Sequence, residues 1–120
     1  MGNASAKEKK SFGSIYSDDN PRPGYYFNKN KLFYQNKEIP LYPGETEFKK
    51  LKFGYCKTNV RVFYQGREIF ANPKTFILLN RNNVKDHNKN LVKYDSVIGM
   101  DFNGNTKRFY HKGIIVNEEI

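Results

Sequence analysis

The heptapeptide Phe33-Tyr-Gln-Asn-Lys-Glu-Ile39 returns as Phe63-Tyr-Gln-Gly-Arg-Glu-Ile69, 30 residues further along the chain, and another tyrosine, Tyr94, falls on the next beat. Self-similarity at such a period marks a supersecondary unit copied along the chain. Each copy is too small to bury its own apolar face and so stacks on its neighbours. The positions that define the unit are Phe33, Tyr34 and Ile39 in the first copy and Phe63, Tyr64, Gly66, Ile69 and Phe76 in the second. Tyr94 and Phe109 mark the later copies. A chain built this way reads as an interaction scaffold rather than an enzyme.

Between residues 24 and 116, aromatic or β-branched runs alternate with Asn, Gly, Lys and Pro, which is the signature of hairpins. Strands are expected at 24–27, 31–34, 38–41, 53–56, 61–64, 67–70, 91–94, 96–100, 107–110 and 114–116. Gln65-Gly66 and Lys112-Gly113 put glycine where a two-residue hairpin turn needs positive φ, and Asn36-Lys37 marks the turn of the first copy. Two segments predict short helices, 45–51 and 73–79, because each sets Phe three residues before Leu. Glu45 and Glu47 suit a helix N-terminus, and Pro73 suits a first helical turn. The expected fold is therefore mainly β, with tandem hairpin repeats of about 30 residues and one or two short helices.

At 120 residues the chain fits one domain, and such a length buries about two thirds of its unfolded surface. Residues 1–20 are small, charged and rich in Gly and Ser, and predict a flexible basic arm; residues 21–120 predict a single β-rich domain. Lys and Arg number 21 against 12 acids, a net charge of +9 that favours anionic partners. Lys7, Lys9 and Lys10 concentrate that charge in the arm, and Gly2 stands where N-myristoylation occurs, although Ala6 occupies the usual Ser/Thr place. An acyl chain beside those lysines would make a two-signal membrane anchor. No secretory signal or apolar run of spanning length is seen, and the single cysteine, Cys56, argues against a disulfide-stapled secreted domain. An intracellular or virion-associated setting is expected.

Catalytic chemistry has few candidates here. Cys56 lies in a strand-like alternation and reads as a small buried hydrophobe. His87 and His111 fall in turns and read as solvated, and too few ligands exist for a zinc site. The loops Asp86-His-Asn-Lys-Asn90 and Asp101-Phe-Asn-Gly-Asn105 lack the closing glutamate of a calcium loop and read as turn formers. No catalytic residue, metal, cofactor or small-molecule substrate is assigned. In Lys107-Arg-Phe-Tyr-His-Lys112, aromatics interleave with cations, so Arg108, Tyr110 and Lys112 are candidate partner contacts that could stack bases and track phosphates.

The stretch Val62-Phe-Tyr-Gln-Gly-Arg-Glu-Ile69, followed by Asn72-Pro-Lys-Thr-Phe76, Leu79 and Val84-Lys-Asp-His-Asn88, resembles the DKNYY family of repeat proteins over residues 28–116. His87 and Lys93 depart from the family's lysine and first tyrosine, and Asp101-Phe-Asn103 leads into Phe109-Tyr110 out of phase. The resemblance implies a β-rich repeat fold without catalytic activity. The expected function is a structural, protein-interacting component of a larger assembly. The Lys- and Asn-rich polar positions hint at an AT-rich coding sequence and so at a minor capsid protein of a large virus. The alternatives are a nucleic-acid-binding module using the basic aromatic face and a myristoylated membrane-surface adaptor.

Overall fold

Runs of Tyr, Phe, Val and Ile broken this often by turn formers leave room only for short strands, none longer than six residues. The computed structural model describes residues 24–120, and none of these residues is helical. Three strands, β1 (Tyr25–Asn28), β2 (Lys31–Tyr34) and β3 (Lys37–Ile39), form the first antiparallel sheet. The second holds β4 (Phe48–Lys50), β5 (Tyr55–Thr58), β6 (Val62–Tyr64) and β7 (Arg67–Glu68) in that order. After β8 (Ile77–Leu78), a separate hairpin of β9 (Asn83–Lys85) and β10 (Leu91–Lys93) intervenes before β11 (Ile98–Asn103), β12 (Thr106–His111) and β13 (Ile114–Glu119). The third sheet runs β8-β11-β12-β13, and the whole body is elongated, 56 × 32 × 18 Å.

The same pairings recur from sheet to sheet. Tyr25 lies opposite Tyr34 with ring centroids 4.6 Å apart and tilted 51°, and Tyr55 lies opposite Tyr64 at 4.8 Å and 54°. Each pair is followed by a two-residue turn with positive φ at both places, Gln35-Asn36 and Gln65-Gly66. The corresponding turn of the third sheet is Lys112-Gly113, flanked by the pair His111 and Ile114. That register places His111 where Tyr34 and Tyr64 stand, with Ile98 opposite it in the place of Tyr25 and Tyr55.

These pairings correct the sequence-based alignment of the last unit. Phe109 takes the place of Val62, and Tyr110 that of Phe63, one step out of phase with the Phe-Tyr dipeptide. Tyr94 follows the intervening β9–β10 hairpin, and its ring lies 4.6 Å from that of His111. Leu51 and Leu79 both donate their amides to the strand that follows, to Tyr55 O and Ile98 O, but the β9–β10 hairpin fills the second interval. The beat at Tyr94 is therefore unrelated to the pairing of Tyr34 and Tyr64.

Neither expected helix forms. Glu45 spends its carboxylate on the Tyr42 amide, Thr58 and Arg61, and Phe48 then enters β4 opposite Thr58. Phe48 and Leu51 serve different apolar clusters rather than one helical face. In the other segment, Asn72 O accepts the amides of Thr75 and Phe76, giving a single turn before β8. Sheet pairing outweighs the weak local preference at both places.

The core consists of three clusters, each of which joins two sheets. Tyr25 and Leu32 of the first sheet pack with Cys56 and Phe63 of the second, and Tyr55, Val62 and Tyr64 of the second pack with Phe76 and with Tyr110 of the third. Val84, Ile98 and Phe109 form the last. Each fully buried ring such as Phe63 or Phe76 contributes roughly 1.5–3 kcal/mol. Hydrogen bonds reinforce the first two junctions: the Tyr25 hydroxyl accepts the Gly66 amide at 2.8 Å and donates to Gly54 O, and the Tyr55 hydroxyl accepts the Gly113 amide at 3.0 Å. A Cβ on Gly66 would lie 2.6 Å from the Tyr34 ring, and one on Gly113 would lie 2.9 Å from Tyr64 Cβ, so rings of one sheet lie directly on turn glycines of the next.

Candidate functional site

The reactive side chains singled out in the sequence are distributed, not gathered. Cys56 is fully buried, and burial pushes its thiol up to about 12. His87 is exposed in the β9–β10 loop. His111 is half-buried, its Nε2 lying 2.7 Å from Asp95 Oδ1, so it is not solvated as the sequence suggests. No three His, Cys, Asp or Glu among the described residues cluster as metal ligands would, and no described helix is long and apolar enough to cross a membrane.

The basic aromatic strand has a different use from the one expected. Tyr110 is fully buried and donates to Asp101 Oδ1 at 3.0 Å, so its ring cannot stack a base. Burial and the facing carboxylate push that phenol up. Arg108 is held by the same buried Asp101, with Nε at 2.9 Å from Oδ1. Its counterpart Arg61 grips Glu45 in the same way, with Nε 3.0 Å from Oε2, and its guanidinium lies over the Tyr42 ring at 4.0 Å. Arg61 ties the loop that carries Glu45 to the second sheet, whereas Arg108 meets Asp101 directly across the β11–β12 ladder. Lys112 alone of the three is exposed, at a turn, with Nζ 3.1 Å from Asp95. Hydrogen bonds from His111 and Lys112 hold the Asp95 carboxyl below its ordinary value. Gly2, Lys7, Lys9 and Lys10 lie outside the described residues.

A different basic feature emerges from the fold. Two adjoining cavities of about 480 and 320 Å³ share Lys49 and Lys57 and run between the β4 and β8 segments. Lys74 closes one end, and Lys50 and Lys52 line the other. Consecutive residues of both strands line this groove, so it follows their edges; β4 and β8 are edge strands of their sheets. Lys57 lies directly opposite Lys49, a like-charge cross-strand pair of the kind that destabilises a sheet. Lys57 is half-buried, its Nζ donating to Phe76 O at 2.9 Å, and burial together with the Lys49 charge lowers its pKa. None of these five lysines forms an ion pair with another described residue.

Sequence reasoning misses this groove because Lys57 and Lys74 stand apart from the Lys49–Lys52 run and meet it only through the β4–β5 pairing and the approach of the β8 segment, where Lys57 Nζ reaches Phe76 O. The run Phe48-Lys-Lys-Leu-Lys52 is the signal that could have pointed to it. No family model, curated protein or solved structure matches the chain.

Proposed function

We propose that this protein is a non-enzymatic scaffold, a minor structural component of a larger assembly, built from a hairpin unit used three times in the manner of the DKNYY repeat proteins. The observation that carries the reading is the recurring junction in which a tyrosine hydroxyl of one sheet holds the turn glycine of the next, Tyr25 on Gly66 and Tyr55 on Gly113. Such junctions spend the aromatic and polar side chains on stacking the units. Cys56 and Tyr110 are buried in that stacking, while the surface is left to Lys, Asn and exposed apolar side chains such as Phe70 and Leu91. A chain of this kind acts by what it holds.

The test is chemical cross-linking of the native-source lysate, followed by size separation and mass spectrometry. The scaffold reading expects the chain in a complex of fixed stoichiometry, with cross-links from its surface lysines. Recovery of the chain solely as a free monomer would remove the reading. Base stacking by Tyr110 is not carried forward, because that ring is enclosed.

A further inference from the structure

From the groove between β4 and β8 we infer that the protein docks an extended acidic segment of a partner protein, with the segment's carboxylates set against Lys49, Lys57 and Lys74. This deepens the scaffold reading by naming the chemistry of what is held. Charge carries the first part of the argument. Lys49 and Lys57 repel each other across the β4–β5 ladder with no acid between them, so an anion placed there relieves a strain built into the folded chain. Lys74, Lys50 and Lys52 extend the positive lining in both directions, and five lysines against one lining carboxylate, Glu47, make a stripe rather than a point.

The backbone carries the second part. The Leu51 amide bonds to Tyr55 O, and the alternation of an antiparallel ladder then turns the Phe48 and Lys50 amides and carbonyls away from β5, out of the open β4 edge that borders the groove. An extended peptide can satisfy those groups by running along the β4 edge. Its side chains would alternate, so a segment with an acid at every second position presents all of its carboxylates to one side. A nucleic acid has less to gain there. Of the aromatic rings at the groove, Phe48 already stacks on Phe27 at 5.6 Å and Phe76 is fully buried, which leaves bases no free platform, and the lining cations are lysines without arginine forks.

The experiment is fluorescence anisotropy with the full chain and a fluorescein-labelled dodecapeptide of alternating Glu and Ser, set against an oligothymidylate of equal charge. The expected result is peptide binding that weakens with salt and falls at least about tenfold in Lys49→Glu/Lys74→Glu, while Lys85→Glu/Lys89→Glu, reversed on the β9–β10 loop, stays within about twofold of wild type. Unchanged binding by Lys49→Glu/Lys74→Glu overturns the inference. So does tighter binding of the oligothymidylate, which would make the groove a nucleic-acid site. In the native lysate, loss of the complex on reversing Lys49 and Lys74 supports the inference. A complex that survives the reversal overturns the groove assignment and leaves the scaffold standing, whereas a wild-type chain found free removes the scaffold itself.

Discussion

The Tyr55 hydroxyl accepts the Gly113 amide proton across the junction between the second and third sheets, 58 residues away in sequence. Replacing it, as in Tyr55→Phe, keeps the ring and leaves a partly buried N–H without its acceptor. The expected cost is about 1–3 kcal/mol, read as a lower urea midpoint at unchanged m-value. Tyr25→Phe should cost more, because that hydroxyl both accepts from Gly66 and donates to Gly54. An unchanged midpoint in both variants would show that the hydroxyls contribute nothing to the stack.

The turn glycines should differ sharply in their tolerance of alanine. At Gly66 and Gly113, φ is about +82 and +80, and a methyl group would lie within 3 Å of the neighbouring sheet's tyrosine. Backbone strain and overpacking together are expected to cost about 2–4 kcal/mol. Gly104 has φ +61 but no atom within 4 Å of the Cβ position, so Gly104→Ala should lose only about 1 kcal/mol. Thermal melts of the three variants give the comparison, and equal losses would refute the close-contact argument.

Acid should loosen the loop before β4. Burial alone would raise the Glu45 pKa, but hydrogen bonds from Arg61, Thr58 and the Tyr42 amide outweigh it and hold the carboxyl below its ordinary value. Unfolded Glu45 therefore binds a proton more readily than folded Glu45. Its stabilisation is complete above about pH 4.3 and is lost as pH falls through the lower folded value. Urea midpoints measured from neutral pH downward should decline there in wild type and decline less in Glu45→Gln. The variant should also be about 3 kcal/mol less stable at neutral pH, because Arg61 is then left with Glu68, 3.9 Å away, as its counter-charge.

Cys56 should be silent to thiol reagents while the chain is folded. It is fully enclosed, and its thiol is pushed up to about 12 by burial. At pH 8, Ellman's reagent should react only as fast as the chain opens, and at once in denaturant. Rapid native-state labelling would contradict the packing between the first two sheets.

Reversing one charge should separate stability from binding. Lys49→Glu turns the like-charge pair with Lys57 into an opposite-charge pair, with an expected gain of about 0.2–1 kcal/mol. A variant that melts higher yet loses the acidic peptide would show that the repulsion is retained for a ligand. A lower melting temperature would show that the pair is not strained.

The repeated tyrosines and the Gln65-Gly66 and Lys112-Gly113 turns were legible in the sequence because both depend on short-range signals: alternating side chains and a residue that accepts positive φ. The pairings of the third sheet were not, since the β9–β10 hairpin and a longer β11–β12 hairpin set Phe109 and Tyr110 out of register with Phe63 and Tyr64. Phe109-Tyr110 therefore looks like a copy of Phe63-Tyr64 while standing one place away. Spacing between Phe48 and Leu51 satisfied a helical face equally well, and only partners distant in sequence decide for β4. The groove was hidden for the same reason. Lys49 and Lys57 meet through strand pairing, Lys74 reaches them through the approach to β8, and no local pattern encodes that encounter.

Ile98 stands where the first two sheets carry a tyrosine, and it has no oxygen with which to receive another turn. The clasp is thus polar: a tyrosine of each of the first two sheets holds a turn glycine of the next, whereas Ile98 is buried against Val84 and Phe109.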